Sequence, residues 1–156
     1  MKISISASEE AIIEAEKQLG IHLPDALKAI WRASNGLEYP QDWRIYPVFD
    51  PDKPKKSWGH LVEENKRHSY DYIQEGLLKI ASDSYGNHLI LRVEGGIAHP
   101  MIYKWDHETT KLKKSAITLE KIHARALKRR DKILKKIEIS MKKRKKRSNN
   151  GLELTG

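Results

Sequence analysis

The sequence contains no cysteine, and this absence excludes several classes of function at once. Without thiols, the 156-residue chain can form neither disulfides nor thiolate zinc sites, and it has no cysteine nucleophile. A cysteine-free chain fits a reducing compartment such as the cytoplasm. Its length corresponds to one domain, since domains commonly contain about 100–150 residues.

Long apolar runs are also missing. The amino terminus, MKISISASEEAIIEAEKQ, lacks the apolar h-region of a signal peptide. No apolar stretch approaches the roughly 18 residues that a membrane-spanning helix requires. We therefore expect a soluble, cytoplasmic protein that has no membrane partner.

Positive charge is abundant but unevenly distributed. The chain has a formal net charge of +9, yet residues 121–147 hold fourteen Lys and Arg against two acidic residues. This segment therefore carries +12, and the rest of the chain carries −3. The charge pattern predicts a mildly acidic domain (residues 1–120), a basic amphipathic C-terminal helix (residues 121–147) and a flexible end (residues 148–156).

Helical signals dominate the first half of the chain. In SISASEEAIIEAEKQLG, Ser6 lies three residues before Glu9, which is the capping-box pattern, and the stretch ends in a glycine. LPDALKAIWRASNG predicts a second helix that ends at SNG. A short strand is expected around residues 43–49, at a sheet edge because of Pro47.

A third helical signal follows in residues 61–76. Leu61, Asn65, His68 and Tyr72 have near-helical spacing, with Gly76 as the stop.

From residue 77 the runs LLKIA, HLILRV, MIYKW and KLKKSA alternate with the turn-rich separators SDSYGN, EGGIAHP and DHETT. Leu89, Leu91 and Val93 share one face of the second run, and Met101, Tyr103 and Trp105 share one face of the third. This pattern predicts an antiparallel meander with one buried face.

The order of these elements resembles the SUKH superfamily of Smi/Knr-type proteins. The matching features are LGIHLP after the first helix, SNG after the second, and then DSYGNHLIL and MIYKWDHETTK in the meander, over roughly residues 8–115. Each motif alone is a helix cap or a turn, so the resemblance depends on their order and spacing. It implies an α+β fold, in which N-terminal helices pack on one side of a mainly antiparallel meander sheet. In this chain a C-terminal basic helix is added.

The resemblance implies a binding protein and not an enzyme. Many bacterial members are immunity (antitoxin-type) proteins that neutralise a cognate toxin, often a nuclease, by direct binding. Eukaryotic relatives are interaction proteins in cell-wall regulation. The resemblance thus implies a cognate protein toxin as the partner, with no cofactor and no catalytic residues, and it specifies no oligomeric state.

Two groups of polar residues are candidate reaction centres. Asp83, His88, Asp106 and His107 lie in or beside predicted turns but lack the spacing of a zinc site. Hydrogen bonding to turn backbone explains them better, with Gly86 supplying the backbone angle that the turn needs, so no metal site is predicted.

Carboxylates after the second helix form the other group: Glu63, Glu64, Asp71 and Glu75. A catalytic pair needs an apolar pocket, whereas Lys66 and Arg67 beside them indicate a solvated helix face.

Exposed aromatic residues beside acids are the best candidates for partner contact. We predict that six residues bind the partner: Glu38, Tyr39, Asp42, Trp43, Asp83 and Tyr85. Tyrosine and tryptophan commonly anchor interfaces, and acids nearby would complement a basic nuclease. The alternative is that Tyr39 and Trp43 cap the core.

The basic C-terminal segment has three interpretations: a docked amphipathic helix, a patch for an acidic partner, or a nucleic-acid tether. An apolar stripe of Leu127, Leu134, Ile137 and Met141 favours docking up to about Met141. For an unspecific nucleic-acid tether, eight cations would contact phosphate backbones: Lys128, Arg129, Arg130, Lys135, Lys136, Lys142, Lys143 and Arg144. The segment has no aromatic residue, so it cannot stack on bases.

Overall fold

A computed structural model describes residues 5–66 and 72–154, with side chains described as far as residue 148. These residues form four helices and six strands. In chain order they are α1 (Glu9–Leu19), α2 (Asp25–Ala33), β1 (Leu37–Tyr39), β2 (Trp43–Ile45), α3 (Leu61–Asn65), β3 (Leu77–Ser82), β4 (His88–Glu94), β5 (Ile97–Trp105), β6 (Leu112–Lys114) and α4 (Leu119–Leu154).

The six strands form one antiparallel sheet in sequential order, so the predicted α+β fold with a meander is confirmed. Leu89 and Leu91 lie in the core as expected. The prediction that the Met101 face of β5 is the buried one is wrong, because Ile102 pairs with Leu91 and points inward with it. Met101 consequently lies on the outer face, 44% exposed.

The strand that contains Trp43 is not at the sheet edge, which corrects the prediction from Pro47. β2 lies between β1 and β3. The strand ends at Ile45, and Pro47 follows in the connection, where its carbonyl accepts the Leu61 N–H at 2.8 Å. The proline therefore interrupts no ladder of the sheet.

The first helix begins two residues later than the capping-box pattern predicted. Ser8 is its N-cap, since Ser8 Oγ accepts the Ala11 N–H at 3.1 Å. Glu9 accepts from Arg32 Nε at 2.6 Å instead of closing a capping box. Gly20 ends the helix with φ of +68°, in the left-handed region that favours glycine.

The third helix is shorter than its spacing predicted. α3 ends at Asn65, and residues 72–76 form turns. Asn65 is buried and bonds to the backbone of Lys79 in β3, so it is a sheet contact and not one step of an amphipathic stripe. His68, which contributed to the predicted spacing, lies outside the described residues.

The C-terminal helix docks through its first turns. Leu119, Ile122 and Ala126 are fully buried in the core. The predicted stripe does not pack on the domain, because Leu134 is 46% exposed and Met141 is 63% exposed. The prediction of a helix docked as far as Met141 is therefore wrong for docking on the domain itself. The exposed part of α4, from residue 127 to residue 148, is called the arm below.

Candidate functional site

Three hairpin turns gather at one end of the sheet. The turn between β1 and β2 contacts the turn between β3 and β4, since Ser84 Oγ donates to Asp42 Oδ2 at 3.3 Å. The turn between β5 and β6 joins them through the His107 N–H, which donates to Asn87 Oδ1 at 3.1 Å. Together they form a surface that we call the tip surface: residues 40–42, 83–87 and 106–111.

The β3–β4 turn is fixed by its own aspartate. Asp83 accepts hydrogen bonds from the N–H of Tyr85 at 3.0 Å, from the N–H of Asn87 at 2.9 Å and from Asn87 Nδ2 at 3.0 Å. Although partial burial opposes ionisation, these bonds outweigh it and hold the pKa of Asp83 below its ordinary value. Gly86 has φ of +86°, in agreement with the predicted turn, and Tyr85 is left 68% exposed.

The remaining residues considered as metal ligands have other contacts. The Asp106 carboxylate accepts the N–H of Glu108 at 2.8 Å and that of Thr109 at 3.3 Å, and these bonds lower its pKa. His107 is exposed on the tip surface, whereas His88 turns toward the sheet. No three His, Asp or Glu side chains in the described parts of the chain are grouped to hold a metal ion.

A hydrogen-bonded chain of Tyr46, Ser82 and His88 lies next to the tip surface. Ser82 Oγ lies 3.0 Å from His88 Nδ1 and also bonds the Tyr46 hydroxyl, while the His88 ring stacks on Trp105 with centroids 5.3 Å apart. Burial, with the charge of Lys79 as a second cause, lowers the pKa of His88 to about 4. So weak a base accepts a serine proton poorly at neutral pH, so we interpret the chain as structural.

The Ser82–His88 pair was not predicted. Its sequence signal is that the two residues flank the predicted turn, which pairs them across the hairpin.

The other three predicted partner contacts do not belong to the tip surface. Trp43 is 3% exposed, so it belongs to the core, as the alternative interpretation stated. Tyr39 packs partly buried against the core, and the Arg125 guanidinium lies 6.0 Å from its ring centroid. Glu38 is exposed, but it lines a groove on a different part of the molecule.

The acidic residues of α3 do not form the solvated helix face that was expected. Glu64 is buried, with Oε2 3.8 Å from Lys79 Nζ, because α3 lies against β3. Glu63 beside it is only partly buried. Asp71 and Arg67 lie outside the described residues.

A groove of about 900 Å³ lies between the loop of residues 50–58 and the start of the arm, and we call it the basic groove. Buried Leu37 and Ile45 line its floor. Glu38 and Asp50 are its two acidic residues. Eight cations line it: Arg44, Lys53, Lys55, Lys56, Arg125, Lys128, Arg129 and Lys132.

The eight predicted nucleic-acid contacts are all exposed on α4. Lys128 and Arg129 line the basic groove. The other six lie farther along the arm: Arg130, Lys135, Lys136, Lys142, Lys143 and Arg144. The arm thus extends the positive surface of the groove.

Within the described residues, no helix combines the length and the apolar composition that crossing a membrane demands.

Residues 6–125 match the family model described as SMI1 / KNR4 family (SUKH-1). No curated protein and no solved structure matches the chain significantly. The matched span includes all six strands and ends in the docked turns of α4, so the whole arm lies outside it. Proteins of this family are known broadly as immunity proteins and cell-wall regulators and are generally not enzymes. The chain therefore belongs to the SMI1/KNR4 family (SUKH-1).

Proposed function

We propose that this chain is a cytoplasmic immunity protein that neutralises a cognate protein toxin by direct binding and without catalysis. Family membership supports this class of function. The tip surface is the observation that supports a docking face, because it displays Tyr85, 68% exposed, on a turn that Asp83 fixes through three hydrogen bonds.

An aromatic side chain on a fixed turn suits an interface anchor. Little conformational entropy is lost when a partner covers a ring whose backbone is already ordered. The tip surface also carries four acidic residues against one lysine: Asp42, Asp83, Asp106 and Glu108, with Lys111. Such a surface would complement the basic face of a nuclease, which makes a nuclease the toxin class that we favour.

The test is copurification of the chain with the toxin encoded beside it, followed by calorimetry of variants. Tyr85→Ala is expected to weaken binding by about 30-fold, the ~2 kcal/mol of an interface anchor. Trp58→Ala is the matched control, because Trp58 is 66% exposed and lies outside the tip surface. The absence of a complex, or equal losses in the two variants, would contradict the proposed docking face.

A further inference from the structure

We propose that the basic groove binds the phosphate backbone of single-stranded nucleic acid, with Trp58 as a stacking platform for a base. This activity goes beyond toxin neutralisation and does not depend on it, since the groove and the tip surface share no residue. Three observations carry the proposal. They are exposed cations on both rims, an exposed ring on a fixed loop, and the continuation of positive charge along the arm.

Cations stand on both rims of the groove. Lys55 and Lys56 belong to the loop of residues 50–58, Lys128 and Lys132 belong to α4, and all four are exposed. In the part of the chain that the structure describes, none of the four forms an ion pair with a carboxylate. A polyanion in the groove would relieve the repulsion between the rims and release counterions.

The spacing along α4 directs a row of charge into the groove. Arg125, Lys128, Arg129 and Lys132 recur at intervals of three and four residues, which places them on one helix face. The protein itself engages two of them: Arg125 lies over the ring of a β1 tyrosine, and Arg129 Nη1 donates to Ser34 Oγ at 2.7 Å. These contacts fix the helix face and leave Lys128 and Lys132 available to a ligand.

Trp58 supplies the aromatic surface that the C-terminal segment lacks. Its carbonyl accepts a hydrogen bond from Arg44 Nη2 at 2.7 Å, and the Gly59 carbonyl accepts from the same nitrogen at 2.8 Å. The loop is closed beneath it by Ser57, which is buried and hydrogen-bonds to two loop carbonyls. A ring held in this exposed position can stack on a base, an interaction worth about a 5- to 150-fold change in affinity.

A single strand fits these features better than a duplex or an acidic protein. In a duplex the base faces are covered by their neighbours, so a tryptophan at a groove rim has no base to stack on. An acidic protein in the groove would leave the cations of the arm uncompensated, whereas a linear polyanion continues along them. With 36 residues, α4 is about 54 Å long, enough to follow a strand of several nucleotides.

The test is fluorescence anisotropy of a labelled oligo(U) about 20 nucleotides long, titrated with the full chain at several salt concentrations. Lys56→Glu combined with Lys128→Glu, one from each rim, is expected to lower affinity about 10-fold or more. The same pair should reduce the slope of log K against log salt by about 1.4, the value for two single-strand phosphate contacts. Trp58→Ala is expected to lower affinity about 5-fold or more without changing that slope, because stacking releases no counterions.

Lys113→Glu combined with Lys114→Glu is the matched control, since both lysines are exposed on β6 and the change in net charge is the same. This pair is expected to leave affinity within about 2-fold, through screened long-range charge alone. Thermal unfolding of every variant checks the fold, and Lys56→Gln with Lys128→Gln should give a smaller loss in the same direction.

Three results would overturn the proposal. The first is an absence of saturable binding by the unmodified chain, and the second is an equal loss of affinity in the groove pair and the β6 pair. The third is displacement of the labelled strand by poly-glutamate or by a duplex as effectively as by unlabelled oligo(U), which would assign the groove to an acidic protein or to a duplex.

Discussion

Two asparagine side chains pair with the backbone N–H and C=O of a residue elsewhere in the chain, Asn35 with Val48 in the connection after β2 and Asn65 with Lys79 in β3. The Asn35 amide pairs with both backbone polar groups of Val48, at 3.0 and 2.9 Å. Asn65 pairs in the same way with Lys79, at 2.8 Å in both directions, at the edge of β3 that β2 has left. Each amide satisfies backbone groups whose unpaired burial would cost about 1–3 kcal/mol, which gives the SNG motif a structural reason.

At the same scale, His88 makes the free energy of unfolding depend on pH. Its pKa is about 4 in the folded chain, whereas the ordinary value is 6.5. Between these values the unfolded chain binds a proton that the folded chain does not. The stability that neutral His88 contributes is therefore fully present above about pH 6.5 and is lost as the pH falls toward about 4. Solvent screening at this partly exposed ring limits the loss to about 1–2 kcal/mol.

Urea unfolding near pH 7 and near pH 4.5 measures this effect. His88→Gln is expected to lose about 1–2 kcal/mol less between the two conditions than the unmodified chain loses. Burial also lowers the pKa of His60, which adds the same slope to both proteins and cancels in the comparison. His99→Gln, at an exposed imidazole, serves as the control. Identical pH dependence in the His88 variant and the unmodified chain would contradict the assignment.

At the scale of elements, α4 is one continuous helix whose first turns are buried in the core and whose remainder is exposed. Its composition and spacing are local properties, so the sequence predicted that a helix would form. The residue at which its docked part ends cannot be read from local sequence, because it depends on which elements pack against the helix. The helix packs on α2, which has nine residues, about 14 Å, so only the first turns of α4 have a partner. The apolar stripe continues beyond that partner.

Two truncations separate the docked turns from the arm. A chain that ends after Glu120 loses buried Ile122 and Ala126, and we expect it to be destabilised by about 3 kcal/mol or more. A chain that ends after Ser140 loses only exposed residues among those described, and its free energy of unfolding should change by about 0.5 kcal/mol or less. Urea denaturation of the two chains distinguishes them. Equal stability would show that the first turns of α4 do not belong to the core.

Features that depend on one short segment were predicted, whereas the orientation of strand faces and contacts between distant segments were not. The turn at Asp83 and the exposure of Tyr85 followed from residue types within one short segment. Both faces of β5 carry apolar residues, and only the pairing of Ile102 with Leu91 reveals which one is inside. The basic groove could not be predicted, because its two rims, in the loop of residues 50–58 and in α4, are far apart in the sequence and meet only through the packing of α4 on α2.

At the scale of the whole molecule, acidic and basic residues are concentrated on separate surfaces. The tip surface carries four acidic residues against one lysine, and the basic groove carries eight cations against two acids. A basic toxin and a polyanion would therefore be attracted to different faces, and neither would compete for the residues of the other.

The most direct test of neutralisation by binding is a titration of the toxin's activity with the purified chain, at toxin concentrations well above the dissociation constant. Our account predicts that activity falls linearly and reaches zero at a fixed stoichiometric ratio, independent of incubation time. Tyr85→Ala should weaken the complex, so that toxin activity falls gradually around the equivalence point, while Trp58→Ala should leave the titration curve unchanged. Progressive inactivation by a small fraction of an equivalent, or full toxin activity in excess chain, would contradict the account.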